Sequence, residues 1–127
     1  MIYGVGTDLI EIRRVEKILG RFGERFARRI LCEPELKRFR AHRKPAAYLA
    51  KRFAAKEAFT KALGTGIHAP ANWHGMWVVN LRSGKPELEF SAELKKFLEH
   101  RQIRRSHLSL TDERDIASAT VILETAD

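Results

Sequence analysis

Apolar residues recur along this chain at the spacing of helices in some stretches and at the spacing of strands in others. Apolar positions 12, 15, 18 and 19 share one helical face, which predicts a helix from Glu11 to about Leu19 that Gly20 closes. An apolar residue at every fourth position from 22 to 30 predicts a second, basic helical segment. Three further helices are predicted from Pro34 to Phe39, from Pro45 to about Leu63, and after the N-cap Ser91, with Leu94, Phe97 and Leu98 inward.

Five shorter apolar stretches, bounded by glycine, proline or polar turns, predict strands. They are Ile2 to Leu9, Trp73 to Leu81, Glu87 to Phe90, His107 to Leu110 and Ile116 to Leu123. The sequence contains no repeat, low-complexity tract or linker, which predicts a single domain over residues 1–127. The mixture of helices with hairpin-like strands predicts a compact α+β fold, in which the long 45–63 helix packs at the centre on antiparallel strands.

Composition narrows the class of protein. Of the 127 residues 44% are hydrophobic and 31% are charged, which is ordinary for a globular domain with one core. No apolar run approaches the roughly 20 residues of a membrane-spanning helix, and the first residues lack the pattern of an export signal. The single cysteine, Cys32, excludes an internal disulfide and fits a reducing compartment. We therefore expect a soluble cytoplasmic protein with no membrane partner.

Positive charge is concentrated in one third of the sequence. The net charge is +8, yet residues 13–52 alone contain 14 of the 24 Lys and Arg and only 4 of the 16 Asp and Glu. Such a basic surface has three interpretations: a solvated face, a nucleic-acid site, or a dock for an acidic protein. Because no RNP-type aromatic motif, zinc finger or helix-turn-helix is visible, nucleic acid is not the expected partner. A non-catalytic basic module for RNA or another acidic macromolecule remains the alternative to an enzyme.

The predicted 45–63 helix carries the most informative chemistry. Glu57 and Lys61 lie four residues apart in a segment that is otherwise rich in Ala, Phe and Leu. They form either a weak surface ion pair or a half-buried pair whose desolvation a ligand must offset. Asp8, at the end of the first strand, is either an N-cap of the next helix or a second carboxylate of the same site. Magnesium bound to a substrate phosphate needs only one or two protein carboxylates, so Asp8 and Glu57 are candidate metal ligands and Lys61 a candidate anion clamp.

Two glycines and one polar strand supply further candidates. Gly64 and Gly66 either cap the long helix or form a turn whose backbone N–H groups reach phosphate oxygens beside Lys61. His107 and Ser109 alternate onto one face of their strand, which is either solvated or lines a substrate channel. A Walker A sequence and a complete dinucleotide fingerprint are absent, so nucleotide hydrolysis and hydride transfer are not expected.

Three blocks of the sequence resemble holo-acyl-carrier-protein synthase, and with the 73–86 segment they cover nearly the whole chain. The blocks are Gly4-x-Gly6-x-Asp8 with Ile12-x-Arg14; Arg52-Phe53-x-x-Lys56-Glu57-Ala58-x-x-Lys61-Ala62-x-Gly64-Thr65-Gly66; and His107-x-Ser109-x-Thr111 with Ala117-x-Ala119-x-Val121. The resemblance implies a magnesium-dependent phosphopantetheinyl transferase. Such an enzyme moves 4′-phosphopantetheine from coenzyme A to a serine of apo-acyl carrier protein, releases adenosine 3′,5′-bisphosphate and supports fatty acid biosynthesis.

The same resemblance implies a role for each candidate residue. The residues matching Asp8 and Glu57 hold magnesium on the coenzyme A pyrophosphate, and the one matching Lys61 lies close to the phosphates. The coenzyme site is expected to include Arg52, Gly64, Gly66, Pro86, His107 and Ser109. The residues expected to face the acidic helix of the carrier protein are Arg14, Arg21, Arg25 and Arg29. Family members are trimers with sites between subunits, so a homotrimer is expected here.

One position departs from the family pattern. Many members have Ser-His where this chain has Thr111-Asp112, so no role of that second histidine transfers to this chain. The base that deprotonates the acceptor serine is therefore open, and a water held by the metal or by a carboxylate is the preferred candidate.

Overall fold

The computed structural model describes residues 1–127 and contains five helices and five strands. In chain order they are β1 (Ile2–Glu11), α1 (Ile12–Phe22), α2 (Glu24–Ile30), α3 (Glu33–Ala41), α4 (Pro45–Leu63), β2 (Met76–Asn80), β3 (Pro86–Phe90), α5 (Ala92–His100), β4 (Ile103–Asp112) and β5 (Ile116–Thr125). The α+β fold expected from the sequence is confirmed. None of the five helices combines the length and the hydropathy that a transmembrane span requires.

A three-stranded antiparallel sheet and the long helix α4 form the centre of the fold. β5 is the middle strand and pairs with β1 on one side and with β4 on the other, whereas β2 and β3 form a separate antiparallel hairpin. α4 packs against all three strands of the sheet. Since 13 of its 19 residues are buried, this helix is covered on most sides, as its largely apolar sequence requires.

β1 approaches α4 so closely that two of its residues have no room for a side chain. A Cβ atom at Gly4 would lie 2.0 Å from the carbonyl oxygen of Ala62, and one at Gly6 would lie 2.0 Å from that of Ala58. Both distances are far inside van der Waals contact, so the packing requires glycine. This approach places Asp8, two residues beyond Gly6, beside the turn of α4 that carries Glu57 and Lys61.

Two hydrophobic clusters lie along α4. One joins the C-terminal half of α4 to the sheet, the β2–β3 hairpin and α5. The other joins its N-terminal half to α1, α2 and α3. The short basic helices are therefore packed on the same long helix that carries Glu57 and Lys61.

The first helix is longer than the sequence predicts. α1 continues through Gly20 and ends at Gly23, which has a φ of 63°. An exposed glycine tolerates the helical conformation, whereas a positive φ is where glycine is favoured over other residues. Gly23, rather than Gly20, therefore separates the two basic helices.

The strand boundaries also differ from the prediction. β2 begins at Met76 instead of Trp73, because Asn72 and Gly75 close a turn with a 3.0 Å backbone hydrogen bond just before it. β4 and β5 are both longer than predicted, since their antiparallel pairing continues to the ends of both strands.

Candidate active site

Asp8, Glu57 and Lys61 come together where β1 packs on α4. The Lys61 ammonium donates to Asp8 Oδ1 at 3.2 Å and to the Thr7 carbonyl oxygen at 3.0 Å. Lys61 thus pairs with the strand and not with Glu57, one helical turn before it, so the surface ion pair considered from the sequence is not formed. The N-cap of α1 is Glu11, so the capping interpretation of Asp8 is wrong.

The surroundings of Glu57 raise the pKa of its carboxyl group. Partial burial is the largest cause, the negative charge of Asp8 adds to it, and the positive charge of Lys61 opposes both. Two carboxylates therefore share one partly desolvated space with a single ammonium. A cation bound beside them would relieve their repulsion.

The chemistry of this pair fits magnesium. His, Cys, Asp and Glu side chains form no cluster of three or more, and Asp8 and Glu57 are the two candidate ligands in this place. Two carboxylates are sufficient for magnesium, which keeps several waters and takes further oxygen ligands from a substrate phosphate. Lys61, as a compact positive charge, suits a phosphate oxygen beside them.

Gly64 and Gly66 follow α4, three and five residues after Lys61. Their φ values are 87° and 68°, and the Gly64 N–H donates to the Thr60 carbonyl oxygen at 2.9 Å. Gly64 is thus a left-handed helix cap, as one of the two interpretations of the sequence held. Apart from the adjacent residues of the chain, no atom lies within 4 Å of where a Cβ would sit at either glycine, so the turn is open for a ligand to approach its backbone.

Arg52 and Pro86 lie together, on a different side of α4 from Glu57. Arg52 is buried, donates to Asn80 Oδ1 at 3.0 Å and stacks its guanidinium 4.0 Å from the centre of the Tyr48 ring. Pro86 is the strand partner of Asn80. Burial lowers the pKa of Arg52, and its Nε has no hydrogen-bond partner. A groove of about 370 Å³ lies in front of Arg52, and its lining contains no carboxylate, so an anion suits it. The groove is lined by Arg38, Ala41, His42, Tyr48, Lys51, Arg52 and Asn80.

His107 and Ser109 lie on the face of the sheet that α4 does not cover. His107 is the strand partner of Ile122, and its Nε2 is 2.6 Å from Glu124 Oε1, which lowers the pKa of that carboxyl group. Asp8 is the partner of the fully buried Ala119 and belongs to the opposite face. Within one chain, the sheet therefore separates His107 and Ser109 from Asp8 and Glu57.

The four arginines expected to bind the carrier protein, which form the basic stripe, lie on helices α1 and α2. Arg14 and Arg21 are exposed on α1, and Arg25 and Arg29 are exposed on α2. Phe22 is an exposed aromatic residue among them, with the Arg21 guanidinium 5.2 Å from its ring centre. The four arginines predicted from the sequence are thus all accessible to a partner.

Known proteins share both the sequence and the fold of this chain. The sequence profile of the 4′-phosphopantetheinyl transferase superfamily matches residues 4–121. The chain belongs to this superfamily. Two relatives of this transferase are a holo-[acyl-carrier-protein] synthase from Nitrosomonas europaea, 51% identical over 98% of this chain and 99% of that protein, and one from Vibrio cholerae, 52% identical over 98% of both.

Solved structures agree with the transferase assignment. The crystal structure of holo-[acyl-carrier-protein] synthase from Neisseria meningitidis has a TM-score of 0.95 and 45% identity, covering 98% of this chain and 100% of that one. The synthase from Bacillus anthracis, in complex with CoA (3′,5′-ADP), has a TM-score of 0.84 and 36% identity over 99% of both chains. The resemblance drawn from the three sequence blocks is confirmed.

Sequence reasoning missed one buried ion pair of this transferase. Lys56 and Glu35 are almost completely inaccessible to solvent, and Lys56 Nζ lies 2.7 Å from Glu35 Oε1. The run of small apolar residues around Lys56 indicates burial, and a buried ammonium requires an acceptor. Nothing in the sequence, however, identifies Glu35, 21 positions earlier, as the partner.

Asp112, the position where the transferase departs from many family members, also has a partner. Its carboxylate lies 3.4 Å from the Lys51 ammonium of α4. It lines a groove of about 850 Å³ between α1, the start of α4 and the β4–β5 turn. Asp112 is therefore engaged with a lysine in this chain.

Proposed function

We propose that this transferase moves the 4′-phosphopantetheine group from coenzyme A to a serine of apo-acyl carrier protein. The products are holo-acyl carrier protein and adenosine 3′,5′-bisphosphate, and the reaction supports fatty acid biosynthesis. The observation that carries the proposal is the meeting of Asp8, Glu57 and Lys61 at one point of a fold shared with holo-acyl-carrier-protein synthases. Two carboxylates that can hold a cation, with one ammonium, are the groups that phosphoryl-type transfer uses.

Magnesium is part of the proposal, with Asp8 and Glu57 as its protein ligands. The raised pKa of Glu57 supports this, because a carboxylate near a second carboxylate is stabilised by an added cation. When bound, the metal would supply positive charge to the pyrophosphate oxygens. The two carboxylates would fix its place relative to Lys61.

The residues of the chain position the reacting groups. The serine hydroxyl attacks the phosphorus next to the pantetheine group, and the bond from that phosphorus to the bridging oxygen breaks. Lys61, oriented by Asp8 and the Thr7 carbonyl, stabilises the negative charge that develops on the phosphate oxygens. The serine proton passes through a water to one of the Asp8 and Glu57 carboxylates.

Coenzyme A is proposed to contact both the α4 site and the groove at Arg52. The Arg52 guanidinium has no carboxylate partner and suits a phosphate of the coenzyme, with Pro86 at the edge of the same hairpin. Backbone groups of the open Gly64 and Gly66 turn suit the phosphates near Lys61. His107 and Ser109 are proposed to reach a coenzyme bound by another subunit.

A homotrimer with shared sites is the proposed assembly. One face of the β1–β5–β4 sheet has no helix over it and exposes Val5 (55%) and Leu9 (63%) to solvent. These residues lie on the same face as His107 and Ser109, because Val5 is the strand partner of Ile122 and Ile122 is the strand partner of His107. Burying this apolar face against neighbouring subunits would bring the polar strand next to their carboxylate sites.

The acyl carrier protein is proposed to dock on the exposed arginines of α1 and α2. Four guanidinium groups suit the carboxylates of an acidic helix, and Phe22 adds an apolar contact.

The unpaired Cys32 fits a reducing compartment, and we place the reaction in the cytoplasm.

Mass spectrometry of the carrier tests the proposed function. Purified protein is incubated with coenzyme A, magnesium and apo-acyl carrier protein, and the carrier should gain the mass of one phosphopantetheine group. Chelation of the metal, and the Asp8→Ala variant with a native circular dichroism spectrum, should each prevent the gain. An unmodified carrier in the complete reaction, or full transfer by Asp8→Ala, would overturn the proposal.

A further inference from the structure

A buried lysine joins the helix of the proposed catalytic residues to the proposed carrier-docking helix. Lys56 has no solvent exposure, and its ammonium donates to the Ile30 carbonyl oxygen at 2.7 Å, to Glu35 Oε1 at 2.7 Å and to the Trp73 carbonyl oxygen at 2.9 Å. An ammonium has three donors, so all of them are used. The position of this side chain is therefore fixed from three directions.

Glu35 extends the connection to further elements. Its Oε1 also accepts from the Cys32 backbone N–H at 3.0 Å, and its Oε2 accepts from the Val78 N–H at 2.8 Å. One ion pair therefore ties α4 to the end of α2, the start of α3 and strand β2. Ile30 is the last residue of α2, where helix carbonyls have no partner within the helix and a positive charge is favoured.

The two ends of this connection lie next to functional candidates. Ile30 directly follows Arg29, one of the arginines proposed to bind the carrier, and Lys56 directly precedes Glu57. The acceptors of the Lys56 ammonium do not include Asp8 or Glu57, so its influence on the site is through position. A shift of α2 along α4 would displace a docked carrier relative to the carboxylates.

We propose that Lys56 and Glu35 are positioning residues of the transfer reaction. They hold the carrier-docking helix α2 against α4, so that the acceptor serine reaches the Asp8 and Glu57 site in reacting geometry. The inference rests on the proposed function, since it requires a carrier docked on α2. The competing account is a pair that stabilises the fold and has no effect on the reaction of the folded protein.

The double variant Lys56→Met/Glu35→Leu separates these accounts. It removes both charges and keeps apolar volume, a replacement that buried ion pairs often tolerate. We expect its kcat to fall at least about tenfold, because a misplacement of about 1 Å can cost about 100-fold in rate. The KM values for coenzyme A and for the carrier should stay within about twofold, because Lys61 and Asp8 are not moved and the arginines of α2 stay exposed and shift together with the docked carrier.

Two further variants complete the experiment. Glu35→Gln keeps the shape of the side chain but weakens its hold on Lys56, and should lower kcat less, again without changing either KM. Leu98→Ala opens a cavity in the hydrophobic cluster that joins α5 to the sheet. It should lower the melting temperature and leave kcat unchanged at temperatures where the variant is folded. This control shows what lost stability alone does to the kinetics.

Each outcome decides the proposal. A folded double variant with kcat within about twofold of wild type overturns it, and so does failure of both Lys56/Glu35 variants to fold, which would assign the pair to the fold alone. A KM rise in place of a kcat loss would also overturn it. If wild-type protein transfers no group, the proposed function fails and the inference fails with it, whereas an active wild type beside an unaffected double variant refutes the inference alone.

Discussion

Glu57 is a side chain whose surroundings oppose its charge. Burial and the nearby Asp8 both raise the pKa of this carboxyl group above its ordinary value of 4.5, and Lys61, which is paired with Asp8, offsets them only in part. A carboxylate retained in such a place costs stability in the free protein. The proposed metal would explain why the cost is retained, since a cation bound by the two carboxylates would offset their repulsion.

Glu57→Gln should therefore raise the melting temperature in the absence of magnesium. Because the folded-state pKa is raised, the folded protein binds this proton more tightly than the unfolded chain does, so ionised Glu57 destabilises the fold at pH 7. The difference should shrink as the pH falls through the folded-state pKa, and vanish below the unfolded-state value. Thermal unfolding at a series of pH values, with a chelator, measures it.

The exposed Glu87, which forms no ion pair, supplies the matched control for that series. Glu87→Gln should leave the melting temperature nearly unchanged at every pH. In the transfer assay, Glu57→Gln should lower kcat about 100-fold or more, because a metal ion supplies several kcal/mol of charge stabilisation. A Glu57→Gln melting temperature below wild type at pH 7 would contradict the assignment of a desolvated, repelled carboxylate.

At the scale of elements, the crossing of β1 and α4 sets the geometry of the site. Gly6→Ala would place a Cβ 2.0 Å from the Ala58 carbonyl oxygen, and backbone on both sides must move to relieve this contact. We expect a loss of at least about 1–3 kcal/mol in the free energy of unfolding. Transfer should also fall, since the same shift displaces Asp8 from α4. Denaturant unfolding and the transfer assay measure the two effects.

Gly20→Ala is the control for that substitution. Gly20 lies inside α1, and nothing lies within 4 Å of where its Cβ would sit. Alanine there should stabilise the protein by about 0.5–1 kcal/mol, because it favours the helix and restricts the unfolded chain. Equal stability changes for the two glycine variants would refute the close packing of β1 on α4.

The elements also show what the sequence could predict and where it could not. The long helix and the two last strands follow from local spacing, and the structure confirms them. The sequence predicts a helix end at Gly20, yet local sequence does not say which of two nearby glycines takes a positive φ. The contacts of Lys61 with Asp8 and of Lys56 with Glu35 join residues far apart in the chain, so spacing alone cannot find them.

At the scale of the whole molecule, the uneven charge predicts how the carrier binds. Replacing Arg14 and Arg21 with Glu should raise the KM for acyl carrier protein at least about tenfold, because like charges would then face each other. The KM for coenzyme A should stay nearly constant. Added salt should weaken carrier binding to the wild type, since exposed charges are screened over about 8–10 Å near physiological ionic strength.

Lys95→Glu with Lys96→Glu is the matched control for charge, because both lysines are exposed on α5 and the net charge changes equally. This variant should keep the wild-type KM for the carrier. Normal carrier kinetics in the arginine variant would instead make the basic stripe a solvated face.

The separation of the candidate residues by the sheet predicts a site shared between chains. Asp8 and Glu57 lie on the side of α4, and His107 lies on the uncovered face, so one coenzyme can reach both only if a second chain supplies one of them. Glu57→Ala and His107→Ala should each be inactive alone. Mixed under subunit exchange, they should recover about a quarter of the wild-type rate, because half of the chains retain each residue and a pocket needs both.

A dilution experiment gives the same test in reverse. Wild type mixed equally with the double variant Glu57→Ala/His107→Ala should retain about a quarter of the all-wild-type rate if pockets are shared, and about half if each pocket lies within one chain. Light scattering gives the number of chains in the assembly, which we expect to be three. A monomer, or no recovery of activity by the two single variants despite demonstrated exchange, would contradict the shared site. Complementation is the stronger evidence here, because assembly inferred from a shared fold is only an analogy.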